Sequence, residues 1–240
     1  MANGPILPLR LESVCYDAAG KRLIDTLSLT LGSGPRTVIL GPNGAGKSLT
    51  LRLCHGLLAP TAGAVRWLGP GGANAAWRQA MVFQRPVMLR RSAAANIDYA
   101  LKLRHIPYRR RVARIREVLE ETGLTPLARH AARHLSIGEQ QRLALSRAWA
   151  AAPEVLFLDE PTASLDPAAT RAVEEIVSAI DLSGTKIIMT THDLGQARRL
   201  ADEIVFLHRG RLMEQRPAAE FFASPATAEA AAFIEGKLLW

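Results

Sequence analysis

The sequence predicts an α/β fold in which a mostly parallel β-sheet is interrupted by a helical insertion. Three short segments, TVIL, VLFLD and KIIMTT, are almost wholly apolar, as strands covered on both faces of a parallel sheet are. The glycine-rich stretch GPNGAGKS separates the first of these strands from an amphipathic segment with helical spacing. The stretch between about residues 84 and 152 lacks any comparable strand pattern, which favours helices there.

Nine strands are predicted from apolar, β-branched runs that Gly or Pro residues bound. The predicted strands are Leu9–Tyr16, Leu27–Leu31, Thr37–Leu40, Val65–Leu68, Ala80–Phe83, Val155–Asp159, Lys186–Thr191, Glu203–His208 and Arg211–Glu214. The early strands alternate more between apolar and polar residues and adjoin the turn sequences DAAGK and LGSG. This pattern indicates an antiparallel edge region beside the parallel sheet.

The helices of the middle region follow from apolar residues at helical spacing. The predicted helices are Ala93–Leu103, Tyr108–Thr122 and a third that begins near Ile137. The tail from Pro217 also has helical character and follows soon after the last strand. We therefore predict a single domain over residues 1–240, with a helical subdomain at about residues 85–152.

Composition narrows the class of protein without naming a function. The net charge of +8 fits nucleic acid, an acidic membrane surface or a polyanionic ligand, or it reflects the arginine and alanine usage of a genome. Cys15 and Cys54 are isolated, which argues against a disulfide framework or a zinc site and fits a reducing cytoplasm. We find neither a signal-peptide pattern nor a run of about 20 apolar residues, so a membrane role is expected only through a partner.

The segment GPNGAGKS fits the pattern G-x-x-x-x-G-K-[ST], in which backbone N–H groups and a helix N-terminus surround phosphate groups. The lysine of this pattern reaches the β- and γ-phosphates, and the next hydroxyl is a Mg²⁺ ligand. The predicted nucleotide-binding residues of this phosphate loop are Gly41, Pro42, Asn43, Gly44, Ala45, Gly46, Lys47, Ser48 and Leu49. A glycine turn with a surface lysine is the alternative, and the flanking strand and helix disfavour it.

An acidic pair ends the predicted strand Val155–Asp159. We predict that Asp159 holds the Mg²⁺ shell and that Glu160 polarises the attacking water as a general base. A carboxylate that merely caps the next element is the structural alternative, which the upstream phosphate loop disfavours. The two motifs together predict a nucleoside triphosphatase in which Lys47 and Glu160 are catalytic.

The segment LSIGEQQR, residues 135–142, narrows the enzyme class further. A GTPase is disfavoured because the guanine-reading pattern Asn-Lys-x-Asp is absent, and a small-molecule kinase needs no such segment. Ser136 and Glu139 predict a capping box at a helix start. A helix N-terminus of this kind, with the small Gly138, can present N–H groups and a hydroxyl to an anion.

This segment resembles the signature of the ABC ATPase family, usually LSGGQ or LSGGE, with Ile137 at the first glycine position. The remaining motifs follow in family order, so the resemblance implies a P-loop NTPase core of ABC type with an antiparallel β subdomain and a helical insertion. The resemblance implies that Tyr16 stacks on the adenine, that Gln84 senses Mg²⁺ and water, and that His192 contacts the γ-phosphate. It also implies that Ser136 and Gly138 bind phosphate and that Asp166 lies in a loop that crosses to a second subunit. The predicted Mg²⁺ ligands are then Ser48, Gln84 and Asp159. We expect Ile137 to alter loop packing without loss of function.

The same resemblance implies cofactors and partners. ATP and Mg²⁺ are the expected cofactors, and the family's signature closes over ATP that is bound to the other subunit of a dimer. The expected partners are a second copy of the chain, an integral membrane permease and a periplasmic substrate-binding protein, with no nucleic acid. The expected location is the cytoplasmic face of the inner membrane, as a peripheral subunit.

Two function classes remain open: a transporter motor, and a soluble ABC protein that acts in an assembly process or on nucleic acid. The chain has neither the long coiled coil of DNA-repair members nor a second cassette, which favours the transporter. An arginine cluster in and before the helical insertion is either a solvated face or a surface for the permease and lipid headgroups. The cluster lacks interleaved aromatic residues, which argues against single-stranded nucleic acid.

A lone cassette without a transmembrane segment favours a separate-subunit importer over a fused exporter. The segments FQRPVMLRRSAAANIDYAL and EFFASPATAEAAAFIEGKL resemble the ATPases of oxyanion importers. Tungstate systems give the best resemblance, with molybdate and phosphate systems next. The resemblance thus implies an importer of an oxyanion such as tungstate.

Overall fold

This computed structural model describes residues 4–237 of the chain. Among these residues there are nine β-strands and nine α-helices. The strands are β1 (Leu9–Ala18), β2 (Lys21–Leu31), β3 (Thr37–Leu40), β4 (Ala62–Trp67), β5 (Gln79–Val82), β6 (Val155–Asp159), β7 (Lys186–Thr191), β8 (Glu203–His208) and β9 (Arg211–Pro217). The helices are α1 (Lys47–His55), α2 (Ala75–Arg78), α3 (Ala93–Leu103), α4 (Tyr108–Glu121), α5 (Ile137–Ala150), α6 (Pro167–Leu182), α7 (Leu194–Leu200), α8 (Ala218–Ala223) and α9 (Ala228–Ile234). Residues 1–3 and 238–240 of the predicted domain lie outside the described residues.

The strands form two sheets. The smaller sheet is antiparallel with the order β2-β1-β4, which confirms the predicted antiparallel region. The larger sheet has the order β5-β6-β7-β3-β8-β9 and is parallel except for β9, which runs antiparallel to β8. The three apolar segments β3, β6 and β7 thus lie side by side in the centre, where both faces are covered.

Alternation along the central strands divides the interior into two hydrophobic clusters. Leu156 and Leu158 of β6 face the cluster formed with the helices, whereas Val155 and Phe157 face the cluster formed with the antiparallel sheet and α1. Successive side chains of a strand point to opposite faces, so a wholly apolar strand serves both clusters. The phosphate loop, which leaves the end of β3, is therefore anchored between two packed layers.

The stretch from residue 84 to 152 contains α3, α4 and α5 and no β-strand, as predicted. Buried residues of these helices, such as Ile97 and Val118, belong to the same cluster as Leu156 of the central sheet. Fully buried Asn96 of α3 fixes the segment after β5: its Oδ1 accepts from the Leu89 N–H at 3.0 Å. The insertion is thus packed against the core rather than joined to it by a free linker.

Four strands, β1, β2, β4 and β9, are longer than the sequence predicts, and the differences are largest for β2 and β9. β2 begins at Lys21 rather than Leu27, because a turn at residues 19–20 lets it pair with the end of β1. β9 continues to Pro217 rather than Glu214, because its ladder with β8 runs back to Glu203. The two extensions, residues 21–26 and 215–217, consist mostly of polar residues, so the pair Leu23 and Ile24 gives the one apolar signal there. The tail forms the predicted helical structure as α8 and α9.

Candidate functional site

The phosphate loop connects the end of β3 to the start of α1, so its backbone lies at the carboxyl edge of the parallel sheet. Two of its glycines are required sterically. A Cβ on Gly41 would lie 2.2 Å from the Leu207 carbonyl oxygen, and one on Gly46 would lie 2.6 Å from Ile24 Cδ1. Gly46 also has a φ of 97°, which favours glycine. This loop therefore packs against β8 and β2 while its outer side faces an open cleft.

Lys47 is the first residue of α1 and is buried. Its Nζ donates to the carbonyl oxygens of Gly41 at 2.9 Å and Pro42 at 3.1 Å, and lies 3.6 Å from Glu160 Oε1. Burial lowers the pKa of the Lys47 ammonium, while the nearby carboxylates of Glu160 and Asp159 act in the opposite direction. The Lys47 ammonium thus lies beneath the backbone of the loop and faces the cleft in which a triphosphate would lie.

Ser48 and Asp159 meet across the base of this cleft. Ser48 Oγ donates to Asp159 Oδ1 at 2.6 Å, and Arg52 Nη2 lies 3.8 Å from Asp159 Oδ2. These oxygens suit Mg²⁺, which takes one or two protein oxygen ligands and keeps the rest of its shell for water and phosphate. Among the described residues no group of three His, Cys, Asp or Glu side chains is clustered as in an all-protein metal cage. The donor set fits an ion that arrives with a nucleotide.

Glu160 projects into the cleft from a strained position just after β6. Its φ is 44°, in the left-handed region that non-glycine residues rarely adopt. Its Oε2 lies 3.1 Å from Nδ1 of His192, a half-exposed residue that follows β7. The structure thus brings Lys47, Glu160 and His192, the three predicted catalytic residues, into one chain of contacts.

Two adjoining clefts contain most of the predicted residues. The first, of about 420 Å³, is lined by Leu23, Asn43, Gly44, Ala45, Gly46, Lys47, Ser48, Leu49, Gln84 and Glu160. The second, of about 340 Å³, is lined by Gln84, Glu160, Thr162, Ala163, Ser164, Thr191, His192 and Asp193. Gln84 and Glu160 line both clefts. Gln84 is exposed and follows β5, so it lies where the sheet core leads into the helical insertion.

Tyr16 lies on β1, half-buried against the cluster between the two sheets, and it pairs with Ile24 of β2. In the described part of the chain the first cleft is lined by Leu23 rather than by Tyr16. Sequence analysis missed Leu23. The adjacent pair Leu23 and Ile24 was the available signal, because one of two consecutive apolar residues in a strand faces away from the core.

Ser136, Gly138 and Asp166 lie apart from both clefts. Ser136 caps α5 through the predicted capping box with Glu139. Asp166 caps α6 by accepting from the N–H groups of Ala168 and Ala169, both at 2.9 Å. A Cβ on Gly138 would lie 2.9 Å from Ala169 Cβ, so the starts of α5 and α6 are neighbours. These residues are therefore grouped at the neighbouring starts of α5 and α6, outside the lining of either cleft.

A phosphate loop at the carboxyl edge of a parallel sheet, with an acidic pair on the adjacent apolar strand, defines a P-loop nucleoside triphosphatase. The comparisons with known proteins agree. The family model described as ABC transporter matches residues 24–163, more than half of the chain. The chain belongs to the ABC transporter family of ATP-binding proteins and is an ATPase whose hydrolysis is coupled to transport.

The similar curated proteins are import subunits with varied cargo. The chain is 34% identical, over 97% of its length and 88% of the relative, to a phosphate import ATP-binding protein of Natronomonas pharaonis. It is 41% identical, over 81% of its length and 92% of the relative, to the tungstate uptake ATP-binding protein of Peptoclostridium acidaminophilum. It is 36% identical, over 98% of its length and 74% of the relative, to a methionine import ATP-binding protein of Nocardia farcinica. The chain is therefore an ATP-binding subunit of importer type, and its cargo is not specified by these relatives.

Two solved structures share the fold. One, the ATP-binding subunit of an ABC transporter, superposes with a TM-score of 0.81 at 23% identity, covering 95% of this chain and 99% of that chain. Another is cbiO1 of Clostridium perfringens, part of the transporter complex cbiONQ, with a TM-score of 0.80 at 26% identity. That match covers 96% of this chain and 95% of that chain. The predicted ABC ATPase fold is confirmed.

Proposed function

We propose that this chain drives import of an oxyanion such as tungstate, with molybdate and phosphate as the next candidates. The contact of Lys47 and His192 with Glu160, at 3.6 Å and 3.1 Å, is the observation that carries the proposed hydrolytic chemistry. The cargo rests on similarity instead: the relatives described above include a tungstate uptake protein and a phosphate import protein. Chemistry and cargo therefore need separate tests.

The chain's own residues divide the hydrolytic work. Lys47 and the N–H groups of the phosphate loop bind the phosphates, and Ser48, Gln84 and Asp159 hold Mg²⁺. Bound Mg²⁺ neutralises charge that develops on the phosphate oxygens. Glu160 takes a proton from the attacking water, and His192 holds Glu160 and the γ-phosphate in place. Tyr16 stacks on the adenine near Leu23, at the open end of the loop.

The neighbouring starts of α5 and α6 complete the site of a partner copy. Ser136 is exposed at the start of α5, and Asp166 is exposed at the start of α6. Since neither lines a cleft of its own chain, they bind the nucleotide or the crossing loop of a second subunit. A homodimer with two shared ATP sites follows, in which bound ATP holds the subunits together.

The transport partners lie outside the chain. Within residues 4–237 no helix is both long enough and apolar enough to cross a bilayer. On the similarity to import subunits, we assign the membrane path to a separate integral permease and the capture of cargo to a periplasmic substrate-binding protein, without a nucleic-acid partner. The chain then sits peripherally at the cytoplasmic face of the inner membrane.

Reconstitution tests this proposal. The chain, its permease and its binding protein are placed in proteoliposomes, and ATP hydrolysis and oxyanion uptake are measured with tungstate, molybdate, phosphate, methionine or nickel. We expect tungstate to stimulate both rates about tenfold or more, because cargo-loaded binding protein favours the hydrolysing state. Stimulation by methionine or nickel alone would contradict the cargo assignment. Stimulation by DNA that falls with added salt would contradict the transport role as a whole.

A further inference from the structure

The Thr190 hydroxyl, fully buried near the end of β7, touches both members of the acidic pair. Its Oγ1 donates to Asp159 Oδ1 at 3.0 Å and accepts from the Glu160 backbone N–H at 3.0 Å. We infer that Thr190 is a positioning residue that holds the Mg²⁺ ligand and the general base in their working geometry. This inference rests on the roles proposed above for Asp159 and Glu160.

The sheet register explains how one hydroxyl reaches both residues. Thr190 pairs with Asp159 of β6 on one side and with Ile39 of β3 on the other. It therefore lies between the strand that ends in the acidic pair and the strand that enters the phosphate loop. Because all three strands are buried and parallel, the hydroxyl is fixed relative to both motifs.

Thr190 is a direct restraint on the strained backbone of Glu160. A non-glycine residue in the left-handed region persists only when its surroundings hold it there. The described contacts of Glu160 are the N–H bond to Thr190 Oγ1, a bond from the Ala163 N–H to its carbonyl oxygen, and the side-chain contacts to Lys47 and His192. Of the two backbone bonds, the one to Thr190 ties Glu160 to the neighbouring strand. The side-chain contacts exist only if the backbone already points the carboxylate into the cleft. Thr190 therefore acts on the direction of the base rather than on the reacting atoms.

The other bond of Thr190 acts on Asp159. Oδ1 of this carboxylate accepts from Ser48 Oγ and from Thr190 Oγ1, while Oδ2 faces Arg52. Hydrogen bonds from two directions fix the orientation of the buried carboxylate. Without the Thr190 bond the carboxylate keeps only the Ser48 bond and the Arg52 contact, so its orientation is less restrained and the affinity of the site for a divalent ion should fall.

The test compares Thr190→Val, which keeps shape and removes the hydroxyl, with Thr190→Ser, which keeps the hydroxyl. Thr37→Val is the matched control: Thr37 is also fully buried, and its hydroxyl donates to Glu203 at 2.8 Å and accepts from Lys186 at 2.8 Å. Thr37 begins β3, at the edge of the sheet opposite the phosphate loop. ATPase kinetics at saturating Mg²⁺ are combined with Mn²⁺ binding, measured by electron paramagnetic resonance with a non-hydrolysable ATP analogue.

We expect Thr190→Val to lower kcat about tenfold, because the direction of the base matters in the chemical step, with the KM for ATP within about twofold, because saturating Mg²⁺ offsets the weaker ion site. The same variant should bind Mn²⁺ about fivefold more weakly. Thr190→Ser should restore both values to within about threefold of the parent. Thr37→Val should keep parental kcat and Mn²⁺ affinity even where it lowers the unfolding temperature.

Parental kcat and Mn²⁺ affinity in Thr190→Val would overturn the inference. An equal loss of kcat and Mn²⁺ affinity in Thr190→Ser would also overturn it, because that result would show that packing rather than the hydroxyl matters. Thr190→Ala, which also lacks the hydroxyl, replaces the valine variant if that variant fails to fold. Glu160→Gln is measured in parallel. Parental hydrolysis by Glu160→Gln would overturn the proposed base, and this inference with it. A stalled Glu160→Gln beside an unaffected Thr190→Val would overturn the role of Thr190 alone.

Discussion

Lys47 illustrates how a single residue joins folding to binding. Its ammonium donates to the carbonyl oxygens of Gly41 and Pro42, so the side chain that faces the cleft also stabilises the conformation of the phosphate loop. Burial disfavours the charged form, as the lowered pKa shows. A triphosphate would add negative charge beside this ammonium and raise its pKa again. The cation is therefore poised for an anionic ligand.

Lys47→Ala should reduce ATP hydrolysis to less than about a tenth of the parental rate and weaken nucleotide binding, because it removes a preorganised charge from the phosphates. Turnover and the Kd for a fluorescent ATP analogue would be measured. Lys21→Ala, at an exposed position that begins β2, is the control and should match the parent. Parental turnover in Lys47→Ala would remove this lysine from the site.

At the scale of elements, Asn96 of α3 organises the segment that carries Gln84 into the helical insertion. Its Oδ1 accepts from Leu89 N–H, and its Nδ2 lies at hydrogen-bonding distance from the carbonyl oxygens of Leu89, Arg91 and Ser92, the shortest contact being 2.9 Å to Ser92. The three carbonyl oxygens also accept from backbone N–H groups, and Ser92 forms an isolated antiparallel bridge with Ala131. The Leu89 N–H, by contrast, has its described partner in the Asn96 amide, which therefore satisfies a backbone donor of this segment.

Asn96→Leu should lower the free energy of unfolding by about 2 kcal/mol, because it leaves the Leu89 N–H without its described partner and removes the additional bonds of the buried amide. Ser92→Ala, which removes only the α3 N-cap bond to Ala95, should cost about 1 kcal/mol. Urea denaturation of parent and variants measures both losses. If Asn96→Leu proved no more destabilising than Ser92→Ala, the amide would not be the anchor of this segment.

At the scale of the whole molecule, the residues proposed to bind ATP fall into two groups. Residues 43–49 of the phosphate loop and Glu160 line the clefts, whereas Ser136 and Gly138 at the capped start of α5 do not. Ile137 is 66% exposed at that start. An apolar side chain so exposed beside a proposed phosphate contact would be covered in a dimer.

Glu160→Gln should therefore form an ATP-dependent dimer, because glutamine keeps the size of the base but cannot accept the proton, so ATP accumulates at the interface. Size-exclusion chromatography with light scattering, with and without ATP, measures the shift from monomer to dimer. Adding Ser136→Arg should abolish dimer formation by placing a bulky cation at the shared surface. A Glu160→Gln variant that hydrolyses ATP at the parental rate would contradict the role assigned to the base.

Local sequence alone predicted all nine strands and the helical insertion, as the structure confirms, and it also predicted the phosphate loop and the acidic pair, whose roles stay predictions. These features depend on short-range rules: apolar runs form buried strands, and a glycine-rich turn must follow one of them. The resemblance to a family supplied Tyr16, Gln84 and His192, whose residue types alone would not have distinguished them from ordinary surface or core positions.

Only the tertiary structure showed the contacts of Thr190. These contacts depend on which strands become neighbours, and the order β5-β6-β7-β3 is not predicted by any local pattern. Thr190 looks like another residue of an apolar strand until β7 is placed beside β6, where its hydroxyl meets Asp159 and Glu160. Local patterning therefore determined the elements and their motifs. Long-range pairing decided which buried polar groups meet, because such contacts join residues that are distant in the chain.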